Sequence, residues 1–435
     1  MNDNVAGLFH PSKKPFRFTI LLFVSLLTYG SYFAYDGLSA IAPILIKSFE
    51  VSRAAYGATK TIYSVAAILC LLIGGILIDR IGTRKASLLF SSFIVLGAFF
   101  MAISRNIWML YVGMFFFGAG SETLIIAQSS IISRWFKGKE LAFAFGIALT
   151  VSRLGSLFSY NTEALIADYF GHYSFALWAG LIFCLLSLVS NIVYCLMDRR
   201  GEKVLELKEE EVEEKIVFSD IKKFNASFWY VTLLCFTFYG AIFPFQHLAT
   251  DFFHDKWGIP LELGTSGGFF KQVFSNILHM FSTAPGIAGI IVFASMIFAP
   301  LAGFLVDKIG KRASLMIFGS LLMIPAHLLM GITYVNPVIM MVVLGAAFVL
   351  VPAAMWPSIP LIIPKQRVGT AFGLMTMLQN VGLGFFPWIN GKLRDVSGDY
   401  TASQIMFAGL GLLGLIFAIL LKRADARNEN ILENP

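Results

Sequence analysis

Gly75-Ile76-Leu77-Ile78-Asp79-Arg80-Ile81-Gly82-Thr83-Arg84-Lys85 returns 228 residues later (303 − 75) as Gly303-Phe304-Leu305-Val306-Asp307-Lys308-Ile309-Gly310-Lys311-Arg312. Both stretches follow a long apolar run and both read G-x-L-x-D-R/K-x-G-x-R. A motif repeated at this spacing marks an internal duplication of half the chain. The glycines Gly75, Gly82, Gly303 and Gly310 allow a tight turn between two helices. Asp79 and Asp307 stand at helix ends, where a neighbouring helix N-terminus or an arginine can hold a carboxylate. With Arg80, Arg84, Lys308 and Arg312 they form charge clusters able to latch two halves in one conformation and release them in another. An ordinary basic loop accounts for one copy and does not account for two in matched positions.

Working outward, the rest of the chain is unusually apolar. Its 435 residues are 57% hydrophobic and 14% charged, against roughly 45–50% and about 25% in soluble domains. So much apolar surface exceeds what a core can absorb, and the remaining solvent is lipid. The spans are continuous runs rather than alternating ones, and a helix crosses a bilayer in about 20 residues. They fall at 17–47, 55–79, 85–104, 107–133, 140–168, 172–197, 227–254, 285–307, 313–333, 336–363, 366–392 and 402–422. The expectation is an all-α membrane protein of twelve transmembrane helices. It divides into a six-helix half (1–197), a polar cytoplasmic linker (198–226) containing Glu209-Glu210-Glu211-Val212-Glu213-Glu214, and a second six-helix half (227–435).

The net charge of +7 gathers in alternate loops: Lys13, Lys14 and Arg17; Arg80, Arg84 and Lys85; Arg134, Lys137 and Lys139; Lys308, Lys311 and Arg312; Lys365 and Arg367; Lys422, Arg423 and Arg427. The positive-inside rule then places both termini in the cytoplasm, as an even helix count requires. This clustering explains the basicity without nucleic acid. Cys70, Cys184, Cys195 and Cys235 lie in apolar runs with no metal-ligand or disulfide spacing. No Walker A, HExxH or nucleophile-elbow pattern occurs. Neither cofactor, metal nor enzymatic activity is expected.

The doubled loop resembles the signature of the major facilitator superfamily. The resemblance implies the major facilitator fold, with secondary transport by alternating access between the two halves.

Ionisable residues inside apolar spans are costly and are functional candidates by default. Two stand out. Glu122 lies in Gly118-Ala119-Gly120-Ser121-Glu122, and Arg153 in Ser152-Arg153-Leu154-Gly155-Ser156. Counted from the turn near Lys137, each lies about 15 residues, or ~23 Å of helix rise, into its span. A short basic turn joins these helices, so they are expected as antiparallel neighbours. Either the two charges form a permanent salt bridge, or they face a central cavity. In the second case Arg153 holds a carboxylate by a bidentate contact and Glu122 an ammonium group, which is what an amino acid or peptide zwitterion requires. Asp36 and Lys60 read as interfacial, and His247 and Asp251 as a polar vestibule. His327, after Pro325, is expected to satisfy carbonyls that the proline frees. Trp356 reads equally as a stacking surface or as packing, and Gln379 and Asn380 as cavity lining. The stretch Gly258–Ala284 is expected as a non-cytoplasmic loop with an interfacial amphipathic piece.

Further stretches resemble one subfamily: Gly30-Ser31-Tyr32-Phe33-Ala34-Tyr35-Asp36, Gly120-Ser121-Glu122, Trp135-Phe136-Lys137-Gly138-Lys139-Glu140-Leu141, Ser152 to Ser156, Pro325-Ala326-His327-Leu328-Leu329, and Gly369 to Gly373 with Gln379-Asn380. They are similar to the domain-containing protein 1 group of the superfamily, whose animal members are lysosomal dipeptide transporters. The resemblance implies dipeptide transport, with Glu122 and Arg153 as the charged cavity residues and Trp356 as the cavity tryptophan. Tyr32, in the first stretch, joins the expected substrate contacts. The short N-terminal segment carries no acidic dileucine signal. A bacterial inner membrane is therefore expected in place of a lysosome, and dependence on a glycosylated accessory subunit is not. The other readings left open are an organic-anion or metabolite antiporter using Arg153 alone, and a non-transporting membrane sensor.

Overall fold

The computed structural model describes residues 10–11, 13–136, 140–205, 224–264, 267–364, 367–427 and 430–434. The side chains at positions 76, 79, 142, 205, 300 and 307 lie outside that description. Among the described residues the regular structure is helical throughout.

The first half contains α1 (Lys14–Ser25), α2 (Tyr29–Ala40), α3 (Ala42–Ser48), α4 (Arg53–Ile81), α5 (Thr83–Ala102), α6 (Ile107–Phe136), α7 (Leu141–Tyr169) and α8 (Ser174–Leu205). The second contains α9 (Ala226–Trp257), α10 (Phe269–Leu278), α11 (Ala284–Ala288), α12 (Ile290–Ile309), α13 (Arg312–Ile332), α14 (Pro337–Ile362), α15 (Val368–Ser397) and α16 (Thr401–Asp425). Taking α1–α3 as one interrupted span and α11–α12 as another, and setting α10 aside in its loop, these are the twelve expected spans. Ten of the described helices are long and apolar enough to cross a membrane. The protein is a multi-pass integral membrane protein.

Local chemistry sets the helix boundaries. Ser52, Asn225 and Asn336 accept hydrogen bonds from backbone N–H groups of the first turns of α4, α9 and α14, pairing donors that a helix start leaves free. Gly82 and Gly310 take φ of 81° and 67° in the turns after α4 and α12, a region open to glycine at little cost. Pro43, near the start of α3, has no N–H to continue the helix before it. The polar linker begins later than expected. Helix α8 runs on to Leu205, and Asp198 is buried within it. The acidic run 209–214 lies outside the described residues.

The packing repeats along with the sequence. In the first half α5 and α4 pack on α6, and α2 packs on α7 and α8. In the second, α13 and α12 pack on α14, and α9 packs on α15 and α16. Each of these contacts in one half has its counterpart in the other. The principal contact between halves is α4 against α15, and glycines permit it. A Cβ at Gly57 would lie 2.2 Å from the Pro387 carbonyl oxygen, and one at Gly391 2.2 Å from that of Arg53.

Candidate functional site

A cavity of about 210 Å³ lies between the halves. It is smaller than the roughly 300–1,000 Å³ of sites for drug-sized ligands, and suits a solute of a few bonded units. Tyr32 and Asp36 reach it from α2, Tyr63 from α4, Glu122 from α6, Arg153 from α7, Tyr239 from α9 and Gln379 from α15. Glu122 accepts a hydrogen bond from the Tyr63 hydroxyl at 3.0 Å. The Arg153 guanidinium lies 5.5 Å from the ring centroids of both Tyr32 and Phe348. It therefore rests on aromatic faces from both halves, an arrangement that holds a cation without neutralising it. The ion pairs among the described residues include none between Glu122 and Arg153.

Several expectations are corrected here. Helices α6 and α7 touch only lightly: α6 packs chiefly on α4 and α5, α7 chiefly on α2, and the charges they carry both line the cavity. Asp36 and Lys60 are not interfacial. Asp36 is 7% exposed and lines the cavity. Lys60 is 2% exposed, donates to the Tyr35 carbonyl at 3.0 Å and lies over the Tyr35 ring. Trp356 is not among the residues that line the cavity; it donates its indole N–H to the Tyr239 hydroxyl at 2.9 Å and stacks on Phe372. Asn380 is buried with its amide donating to the Thr376 carbonyl in its own helix, so Gln379 faces the cavity and Asn380 does not. His327 pairs with the Gln404 side chain at 2.8 Å rather than with carbonyls freed by Pro325.

His247 and Asp251 belong to a closure at the end of the bundle opposite the signature loops, the distal end. His247 stacks on Tyr56 and contacts Ser39 and Thr59 at 3.1 and 3.3 Å. Asp251 forms an ion pair with Arg53 and accepts a hydrogen bond from Tyr400. Asp395 accepts the N–H groups of Arg53 and Ala54 at 3.0 and 2.9 Å. On each helix the closure lies about one turn beyond the cavity: Ser39 after Asp36, Thr59 before Tyr63, His247 after Phe243. A more open depression of about 1240 Å³, lined by Lys47, Glu50, His172 and His254 as well as Arg53 and Asp251, lies outside it.

At the proximal end, charges hold each half together internally. Arg134 and the Trp135 indole both reach Asp198, the indole at 2.7 Å, and Arg84 meets Asp198 and Glu202 at 3.4 and 2.6 Å. Lys14 and Arg17 converge on Glu140 at 3.2 and 2.6 Å. The hydrogen bond from Lys14, with the charge of Arg17, holds the Glu140 carboxyl below its usual range. In the second signature loop the Arg312 N–H donates to the Leu432 carbonyl at 2.7 Å, and Glu433 accepts from the Ser314 N–H at 2.8 Å. Asp79 and Asp307 lie outside the described side chains.

Comparison with known proteins agrees with this architecture. A family model described as Major Facilitator Superfamily matches residues 21–282 and 261–434. The chain is 30% identical over 430 residues to "Lysosomal dipeptide transporter MFSD1" of Danio rerio, covering 95% of this chain and 88% of the relative. It is 31% identical over 441 residues to the protein of that name from Homo sapiens, covering 98% and 90%. Among solved structures, the nucleoside transporter NupG superposes with a TM-score of 0.73 at 13% identity, covering 92% of this chain and 99% of that one. A POT family transporter in complex with a thioalcohol-conjugated peptide gives 0.72 at 15% identity, covering 94% and 96%. At these identities the two superpositions speak to the fold alone.

Proposed function

This chain belongs to the Major Facilitator Superfamily, and on that premise we propose that it carries small peptides, dipeptides foremost, across a membrane by alternating access. The observation that supports this reading most directly is that Glu122 and Arg153 line one cavity without pairing with each other. A zwitterion supplies both missing partners, its carboxylate to Arg153 and its ammonium to Glu122. The bidentate geometry available to a guanidinium favours a carboxylate over a simple anion. Asp36 adds a second acidic wall, and Tyr32, Tyr63 and Gln379 offer neutral hydrogen-bonding groups around the peptide. The full-length relatives bear the name of dipeptide transporters.

In this reading both termini face the cytoplasm, and the proximal charge clusters with them, as the basic loops favour. The distal end then faces outward. The Arg53–Asp251 pair and the His247 cluster form the outer gate, and the signature loops belong to the inner one. The chain resides in a bacterial inner membrane, without an accessory subunit. Peptide is moved and not altered.

The test is thermal stabilisation of the detergent-purified protein by a panel of dipeptides, free amino acids and dicarboxylates. A ligand raises the melting temperature by mass action. Stabilisation by dipeptides, abolished in Arg153→Ala and Glu122→Gln, is expected. Stabilisation by dicarboxylates alone, undiminished in Glu122→Gln, would replace this reading with an anion antiporter.

A further inference from the structure

Between α9 and α11 the chain does something that neither the cavity nor its gate requires. Helix α10 is ten residues long, or ~15 Å, about half of what a bilayer crossing needs. Its polar residues Lys271, Gln272, Ser275 and Asn276 occupy one arc. Phe270, Phe274 and Leu278 occupy the other, at i, i+4 and i+8, and stand 85%, 64% and 63% exposed. Phe281, just beyond the helix, extends the stripe. Large apolar side chains this exposed along one face of a short helix mark an interaction surface.

The surroundings identify what covers them. Phe269 of α10 packs its ring 5.3 Å from Tyr169 and 5.9 Å from Phe170, at the distal end of α7. Phe170 in turn stacks on Phe175 at the start of α8, 5.0 Å away. These three rings are themselves partly exposed at the ends of membrane-spanning helices, where aromatic side chains settle at the headgroup level. The α10 stripe is continuous with that belt.

We propose that α10 lies in the plane of the distal leaflet, its Phe270–Phe274–Leu278 face sunk among the lipid chains. Short amphipathic helices with bulky apolar faces bind bilayers in this manner. Because α10 belongs to the second half and Phe269 rests on the first, the anchor ties the distal ends of both halves to one depth in the membrane. This requires no particular substrate and stands apart from the transport reading.

The test uses the full chain in vesicles of phosphatidylethanolamine and phosphatidylglycerol, with its four native cysteines replaced. Nitroxides are placed one at a time through Phe270→Cys, Phe274→Cys, Lys271→Cys and Ser275→Cys. Collision with oxygen reports lipid, and collision with a water-soluble nickel chelate reports water. Positions 270 and 274 are expected to favour oxygen severalfold over 271 and 275. Equal access of the nickel chelate to all four would overturn the proposal. So would shielding of 270 and 274 from both reagents, since that means protein covers the stripe. Size-exclusion profiles matching the unlabelled protein confirm that each variant is folded.

Discussion

Glu122 and Arg153 line the same cavity, and each is held by an uncharged neighbour rather than by the other: Glu122 by the Tyr63 hydroxyl, Arg153 by the faces of Tyr32 and Phe348. A salt bridge between them would cancel both charges and leave a zwitterion nothing to bind. As arranged, both remain available, and the two helices that carry them pack chiefly on other partners.

Arg153 should therefore resist conservative replacement. A lysine retains the charge and loses the planar fork that engages a carboxylate through two bonds. A hydrogen bond to a charged group contributes about 1.5–3 kcal/mol, so Arg153→Lys should weaken dipeptide binding by roughly 10- to 100-fold. Titration calorimetry of the two proteins measures it. Unchanged affinity in the lysine variant would mean that Arg153 acts only as a diffuse charge.

The outer gate should loosen when its ion pair is cut. Asp251→Asn removes the charge that Arg53 meets while nearly preserving shape. Spin labels at Glu50 and His254, on the distal ends of opposite halves, should give a longer and broader distance distribution by pulsed electron resonance in the variant than in the parent. Identical distributions would mean that the Gly57–Pro387 and Gly391–Arg53 contacts close the gate unaided.

His327 and Gln404 are predicted to be structural. They face each other at 2.8 Å inside the second half, both buried. His327→Ala strands a buried amide, at a cost of about 1–3 kcal/mol. The melting temperature should fall while dipeptide affinity stays at the parent value. A variant of normal stability and lost transport would assign His327 to the transport cycle instead.

Glu140 supplies a pH signature at the proximal end. Its carboxyl is held low by Lys14 and Arg17, so its contribution to stability is present above the ordinary carboxylate pKa of 4.5. That contribution disappears as pH falls through the depressed folded-state value. The melting temperatures of the parent and Glu140→Gln should differ at neutral pH and converge under acid. A gap that persists at low pH would mean that Glu140 acts through backbone shape, at its φ of 60°, and not through charge.

The architecture was legible because its determinants are local. Span length and hydropathy need no tertiary contact, and the doubled Gly75/Gly303 motif carries the symmetry that the packing then repeats. Glu122 and Arg153 were legible for a related reason, since a charge deep in an apolar run has few benign explanations. What sequence could not supply was rotation about each helix axis. Gln379 and Asn380 are adjacent in sequence and point about 100° apart, so their exposure to the cavity can differ, and polarity alone did not say how. For the same reason the sequence left Trp356 open between a stacking surface and packing. Asp36 and Lys60 were missed through depth. Asp36 lies in the interrupted first span and Lys60 about two turns into α4, yet both are buried, and their presence in two neighbouring apolar runs was the available signal. Tyr63 carried no signal, because a tyrosine in an apolar span reads as packing.

The central claim, that paired opposite charges select a zwitterionic peptide for transport, is tested most directly by dipeptide counterflow in proteoliposomes. Vesicles are loaded with unlabelled dipeptide and radiolabelled dipeptide is supplied outside. The parent should accumulate label transiently, N-acetylated dipeptide should fail to drive counterflow, and Glu122→Gln should lose it. Counterflow driven equally well by the N-acetylated peptide, or undiminished in Glu122→Gln, would contradict the account.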